Sequence, residues 1–282
     1  MATSLSMLGF ATDLPAQQGP EPIPGAETFG PRWQPAGTAQ FDLGPAEGRF
    51  RILVSLPDQP PPEEGYGIIY ALDAGWTFGT LRDAVRMRAS PYAHSGARPT
   101  VVVGIGWPTD TLIDFDRRGP DLVGQGTEGP GRAATLELIE TVLIPRVETA
   151  LPVDPAHRMI LGHSFGGAFA LQARAERPGL FSHIAAGSPS IWTDAEALFA
   201  AAGPGGAPVL ITIGGLETPE RAAATGAPAD RIARLIERDM FGRAERMAAD
   251  LGADFVVFDD VGHGASVTAF LARAVAFLWA AE

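Results

Sequence analysis

Residues 159–171 read MILGHSFGGAFAL, with one serine set between glycines where an aliphatic run gives way to small residues at helical spacing. Gly162-His163-Ser164-Phe165-Gly166 fits G-x-S-x-G, but in a chain with ten serines and 34 glycines chance supplies about 0.15 such matches. Context carries more weight than the pattern. A nucleophile elbow needs a strand immediately before the serine and a helix immediately after it, with small residues where the backbone bends sharply. RMILG (158–162) has the aliphatic content of a strand, and GAFALQARAE (167–176) reads as a helix. Gly162, Gly166 and Gly167 let the turn and the helix pass close to each other. The bend holds the Ser164 hydroxyl at the C-terminal edge of a sheet, beside a helix N-terminus whose free N–H groups and dipole favour developing negative charge.

Outward from this stretch, short runs rich in branched residues recur: GRFRILVSLP (48–57), YGIIYALD (66–73), PTVVVGIGW (99–107), FSHIAAG (181–187), PVLITIGG (208–215) and DFVVFDD (254–260). Helical patterns separate most of them, and SVTAFLARAVAFLWAAE (266–282) closes the chain as a helix. Arg132 to Leu151 carries Leu136, Ile139, Leu143 and Val147 at helical spacing, with a kink expected at Pro145. This alternation predicts an α/β fold: a mostly parallel central sheet with helices on both faces. Residues 1–37 hold Pro15, Pro20, Pro22, Pro24, Pro31 and Pro35 and predict an irregular proline-rich arm, leaving 38–282 as a single catalytic domain.

Composition removes several classes of function. No run of about 18 apolar residues is present, so no membrane span is expected although 46% of residues are hydrophobic. A net charge of −12 argues against phosphate-backbone binding, hence no nucleic-acid partner, and gives no long-range attraction to anionic substrates. The chain has no cysteine, which excludes disulfides, thiolate metal sites and a Cys nucleophile. The first residues lack a basic segment followed by an apolar run, so a cytoplasmic location is expected.

A serine hydroxyl needs a base. Of the five histidines, His94 and His157 are expected in loops, His163 is the variable residue of the elbow, and His183 opens a strand. His263 lies in FDDVGHGAS, past the last strand and before the last helix, where a chain order of Ser, acid, His places the base. Glu217, after the strand PVLITIGG, is the candidate orienting acid, with Asp259 and Asp260 as competitors. The oxyanion hole is expected from the N–H of Phe165 and one N–H of the loop after YGIIYALD, Ala74 or Gly75.

GHSFGG, the YALDAG loop, SPSIW at 188–192, LIPRVETALPVD and VGHG together resemble the esterase D-like branch of the α/β-hydrolases, and within it the enterobactin and salmochelin trilactone esterases. The resemblance runs from about Gly48 to the C-terminus. It implies a serine hydrolase that cleaves a small-molecule ester through an acyl-enzyme, with no metal and no organic cofactor. It also implies that Arg117 or Arg118, in the loop FDRRGPDL, meets the polar part of the substrate and that Trp192 lines the pocket. Two ring-stacking groups of the pattern are missing: Trp192 is followed by Thr193, and the arginine loop continues as GPDLVGQGTEGP. Acyl transfer, a thioesterase or acyl-sugar esterase, and a silent hydrolase-fold binding protein are the alternatives on the same frame.

Overall fold

The computed structural model describes residues 34–109 and 111–280. All but the last four residues of the expected arm lie outside that range. Every element below belongs to the unit Pro35–Glu282.

In chain order the strands are β1 (Thr38–Leu43), β2 (Phe50–Ser55), β3 (Tyr66–Leu72), β4 (Thr100–Gly106), β5 (Val153–His163), β6 (His183–Gly187), β7 (Val209–Gly214) and β8 (Asp254–Phe258). The helices are α1 (Ala74–Arg88), α2 (Phe115–Val123), α3 (Arg132–Leu138), α4 (Ile144–Ala150), α5 (Phe165–Glu176), α6 (Ala195–Ala200), α7 (Pro219–Ala224), α8 (Ala229–Arg238), α9 (Met240–Leu251) and α10 (Ser266–Leu278). The strands form one sheet in the order β1-β2-β4-β3-β5-β6-β7-β8, antiparallel at β1-β2 and β2-β4 and parallel elsewhere.

Alternation along each central strand feeds two separate cores. Ile68, Tyr70 and Leu72 of β3 join one with Leu136, Val147, Phe169 and Met247, so α3, α4, α5 and α9 cover that face. Ile69 and Ala71 join the other with Leu81, Val85, Phe270 and Leu271 of α1 and α10. Burial of each such Ile or Leu contributes about 1.5–3 kcal/mol, which is why these strands read as continuous apolar runs rather than alternating ones. β4 lies on one side of β3 and β5 on the other, so the chain segments leaving β3 and β5 diverge and open a crevice at the strands' C-terminal ends.

Four local features differ from the sequence reading. β1, TAQFDL, is a half-exposed edge strand whose mixed polarity hides it. His157 lies inside β5, not in a loop, with its ring stacked on Trp279 at 4.2 Å. FDRRGPDL is not a loop but most of α2, capped by Asp114, which accepts from the Arg117 N–H at 3.0 Å. The helix over 132–151 is divided by a π-turn at Ile139–Leu143 just ahead of Pro145, a common way for a helix to absorb the hydrogen bond a proline cannot make.

Candidate active site

The register Ala71↔Leu161 sets the ends of β3 and β5 level, so α1 and α5 begin side by side at Ala74 and Phe165. Between β5 and α5, Ser164 adopts φ 60°, ψ −116°, a conformation that costs a non-glycine residue about 1–3 kcal/mol. Hydrogen bonds hold it there: its N–H donates to Gly187 O (2.8 Å), and its carbonyl accepts from Ser190 N (2.9 Å) and Ala168 N (3.1 Å). A side chain on Gly162 would strike the Gly166 backbone, so the strand and the helix can approach this closely only with glycine there. The Ser164 hydroxyl sits 3.2 Å from that of Ser190 and is not hydrogen-bonded to His263.

His263 stands in the connection between β8 and α10, and its Nδ1 donates to Glu217 Oε2 at 2.7 Å. Glu217, 2% exposed, lies in a 3₁₀ turn after β7. Its other oxygen accepts from the Ser188 hydroxyl (2.6 Å) and from Gly214 N (2.9 Å). A carboxylate so engaged accepts only, which puts the imidazole proton on Nδ1 and leaves Nε2 with a free lone pair. The competitors are elsewhere: Asp259 pairs with Arg221 at 3.1 Å, and the Asp260 side chain is 99% exposed.

Beneath His263 lies His163, fully buried, with ring centroids 4.8 Å apart. Ser266 donates to the His263 carbonyl (2.8 Å), so it accepts from His163 Nε2 (3.0 Å), and the bare Nδ1 has no partner. Burial first, and then the neighbouring His263 and Arg118 charges, hold the His163 pKa well below 6.5. His163 is therefore neutral and places no positive charge beneath the His263 ring.

First-turn N–H groups have no intrahelical acceptor, so Phe165, Ala74 and Gly75 present donors at the adjoining starts of α5 and α1. Arg118 clamps this corner. It grips the buried Asp73 carboxylate with Nε (2.7 Å) and Nη2 (2.9 Å) and donates to His163 O at 3.1 Å. A cleft of about 390 Å³ is lined by Ser164, Phe165, Ser190, His263, Glu217 and Arg118, together with Phe115 and one face of α8.

The sequence-derived binding residues divide. Arg118 reaches the cleft wall, whereas Arg117 is turned onto Asp121 (2.9 Å from Nε) over the Phe50 ring and does not line it, because helical geometry sends neighbouring residues of α2 to different sides. Trp192 is likewise not a lining residue; it packs behind Phe165 at 6.1 Å and under Arg238 at 4.4 Å. Missing from the sequence reading are Ser188 and Ser190, which hydrogen-bond Glu217 and Ser164, and Phe115, 78% exposed at the cleft. The signal for the serines was present in the SPSIW motif, but only the strand order shows that β6 ends between β5 and β7.

The family model described as "Putative esterase" matches residues 46–245. Over 156 residues the chain is 36% identical to the ferri-bacillibactin esterase BesA of Bacillus subtilis (strain 168), covering 50% of this chain and 54% of that protein. Over 171 residues it is 28% identical to the apo-salmochelin esterase of Escherichia coli O6:H1, covering 56% and 52%. The chain thus matches about half the length of these curated relatives. Among solved structures, siderophore hydrolase EstB from Aspergillus nidulans superposes with a TM-score of 0.73 at 26% identity, over 88% of this chain and 97% of that one. The enterobactin and salmochelin hydrolase IroE shares the fold, with a TM-score of 0.65 at 22% identity over 86% and 95%.

Proposed function

This chain belongs to the esterase family and carries the α/β-hydrolase fold, and from that premise we propose that its Ser164 centre hydrolyses carboxylic esters. The observation that carries the proposal is the Glu217–His263 pair opening onto the same cleft as the strained Ser164. In the first half-reaction the Ser164 hydroxyl turns from Ser190 toward His263, and its oxygen attacks the ester carbonyl carbon while Nε2 takes the proton. Such contacts commonly tighten only when substrate is bound. The imidazolium is stabilised by Glu217, and the oxyanion by the N–H of Phe165 with that of Ala74 or Gly75; one such donor contributes about 2.7–4 kcal/mol in the transition state. Collapse expels the alcohol, protonated by His263, and leaves an acyl group on Ser164. Water activated by His263 then repeats the sequence and releases the acid.

For the substrate we propose a siderophore ester, supported by the substrates after which its relatives are named: ferri-bacillibactin, salmochelin and, for a 32% identical protein of Aspergillus fumigatus, triacetylfusarinine C. The cytoplasmic setting and the absence of a nucleic-acid partner remain part of this proposal; among the described residues no helix is long and apolar enough to cross a membrane. A panel of a ferric trilactone siderophore, a short acyl ester and a thioester tests the reading. Preferred cleavage of the siderophore supports it, and turnover of the thioester alone removes it.

A further inference from the structure

The helix α8 lines the cleft with arginines set around the half-buried Leu235. None of its ten residues is buried, and its large aliphatic Ile236 is 64% exposed, while Arg231, Arg234, Leu235 and Arg238 line the cleft that holds Ser164 and His263. Those four positions fall at i, i+3, i+4 and i+7, one stripe of a helix, and Ile236 lies on the opposite side. A helix that only covers the protein's body turns its apolar face inward and its charges outward. This one presents three guanidinium groups to a concave site in a chain of net charge −12.

The stripe's own partners do not neutralise it. Arg234 pairs with Asp230 at 2.8 Å, with both side chains more than half exposed. Arg238 lies over the Trp192 ring. The Arg231 Nη2 lies 2.9 Å from where a Cβ on Gly262 would stand, directly beside His263. Among the described residues one carboxylate therefore meets three arginines, and Glu217, the carboxylate of the cleft, is committed to His263 and Ser188.

We propose that the α8 arginine stripe determines substrate specificity, selecting esters whose acyl or alcohol part carries anionic oxygen and drawing that charge to the α8 wall of the cleft. The inference rests on the hydrolase reading above. Guanidinium groups suit anionic oxygens because they present several donors in a fixed plane, and a concave wall focuses their field where the protein's global charge would repel such a substrate.

The test compares mono-p-nitrophenyl adipate with p-nitrophenyl hexanoate, which are matched in length and differ by a terminal carboxylate. The ratio of their kcat/KM values is measured for the wild type and for the triple variant Arg231→Gln/Arg234→Gln/Arg238→Gln. The inference predicts that the ratio falls by about tenfold or more in the variant and that the wild-type ratio falls as salt rises. A ratio unchanged within about twofold overturns it. Should the triple variant not fold by circular dichroism, Arg234→Gln and the wild-type salt series decide: a ratio indifferent to both overturns it. A folded wild type that cleaves neither ester defeats the hydrolase reading and this inference with it, whereas cleavage of both with no charge preference defeats the inference alone.

Discussion

Glu217 receives three hydrogen bonds on two oxygens, from Ser188, Gly214 and His263, and on the proposed mechanism it is the acid that orients His263. Replacing it by Gln substitutes a donor where His263 needs an acceptor, so kcat on a p-nitrophenyl ester is expected to fall by about 10²-fold or more. Asp259→Asn and Asp260→Asn are expected to stay within about twofold of wild type, since both are exposed partners of Arg221. The opposite ranking in steady-state kinetics moves the role to the loop before His263. His163 gives a second prediction. Its folded pKa lies below the ordinary 6.5, so the unfolded chain takes up a proton that the folded chain refuses, and stability is lost as pH falls below about 6.5. Thermal melts of wild type and His163→Asn at about pH 7.5 and pH 5 are expected to show a flatter pH dependence in the variant; equal slopes would assign the acid sensitivity elsewhere. At this scale the places of Ser164 at the strand-to-helix turn and of His263 after the last strand were legible in the sequence, because glycines and chain order mark them. The carboxylate partner of His263 remained one of three candidates, because the pairing depends on a turn after β7 that has no sequence signature.

At the scale of elements, the corner where β3, β5 and α2 meet is tied by Arg118, which bridges Asp73 and the His163 carbonyl. Asp73 is 3% exposed, so Arg118→Met leaves a buried carboxylate without its cation, at a cost of about 3–5 kcal/mol in chemical denaturation. Arg118→Met combined with Asp73→Asn is expected to recover part of that loss, and no recovery would show that the pair does not act as a unit. β3, β4, β7 and the second half of β5 could be read directly from continuous apolar runs and α5 from small residues at helical spacing, whereas the polar first half of β5, VDPAH, could not. α2 was hidden by Gly119 and Pro120, which read as loop; the Asp114 cap and the buried Leu122 and Val123 outweigh them. The face of α8 stayed unread because an arginine stripe at helical spacing looks like a solvated surface until the cleft is seen beneath it.

Across the whole molecule, two helix N-termini, an acid after β7 and a base after β8 come from segments far apart in sequence. The strand order gathers them at one edge, with β6 ending between the strands that precede Ser164 and Glu217. That convergence was foreseeable from the alternation of strands and helices, whereas the antiparallel β1 and the wall of the cleft were not. The proposed hydrolysis passes through a covalent acyl group on Ser164, with His263 moving the proton. Its most direct measurement is mass spectrometry of the protein quenched during turnover of a p-nitrophenyl ester, with Ser164→Ala treated in parallel. One acyl group is expected on the peptide holding Ser164, with a variant that is folded, unlabelled and slower by several orders of magnitude, about 10³-fold or more. A variant that keeps wild-type turnover, or an acyl group found on another residue, would contradict it.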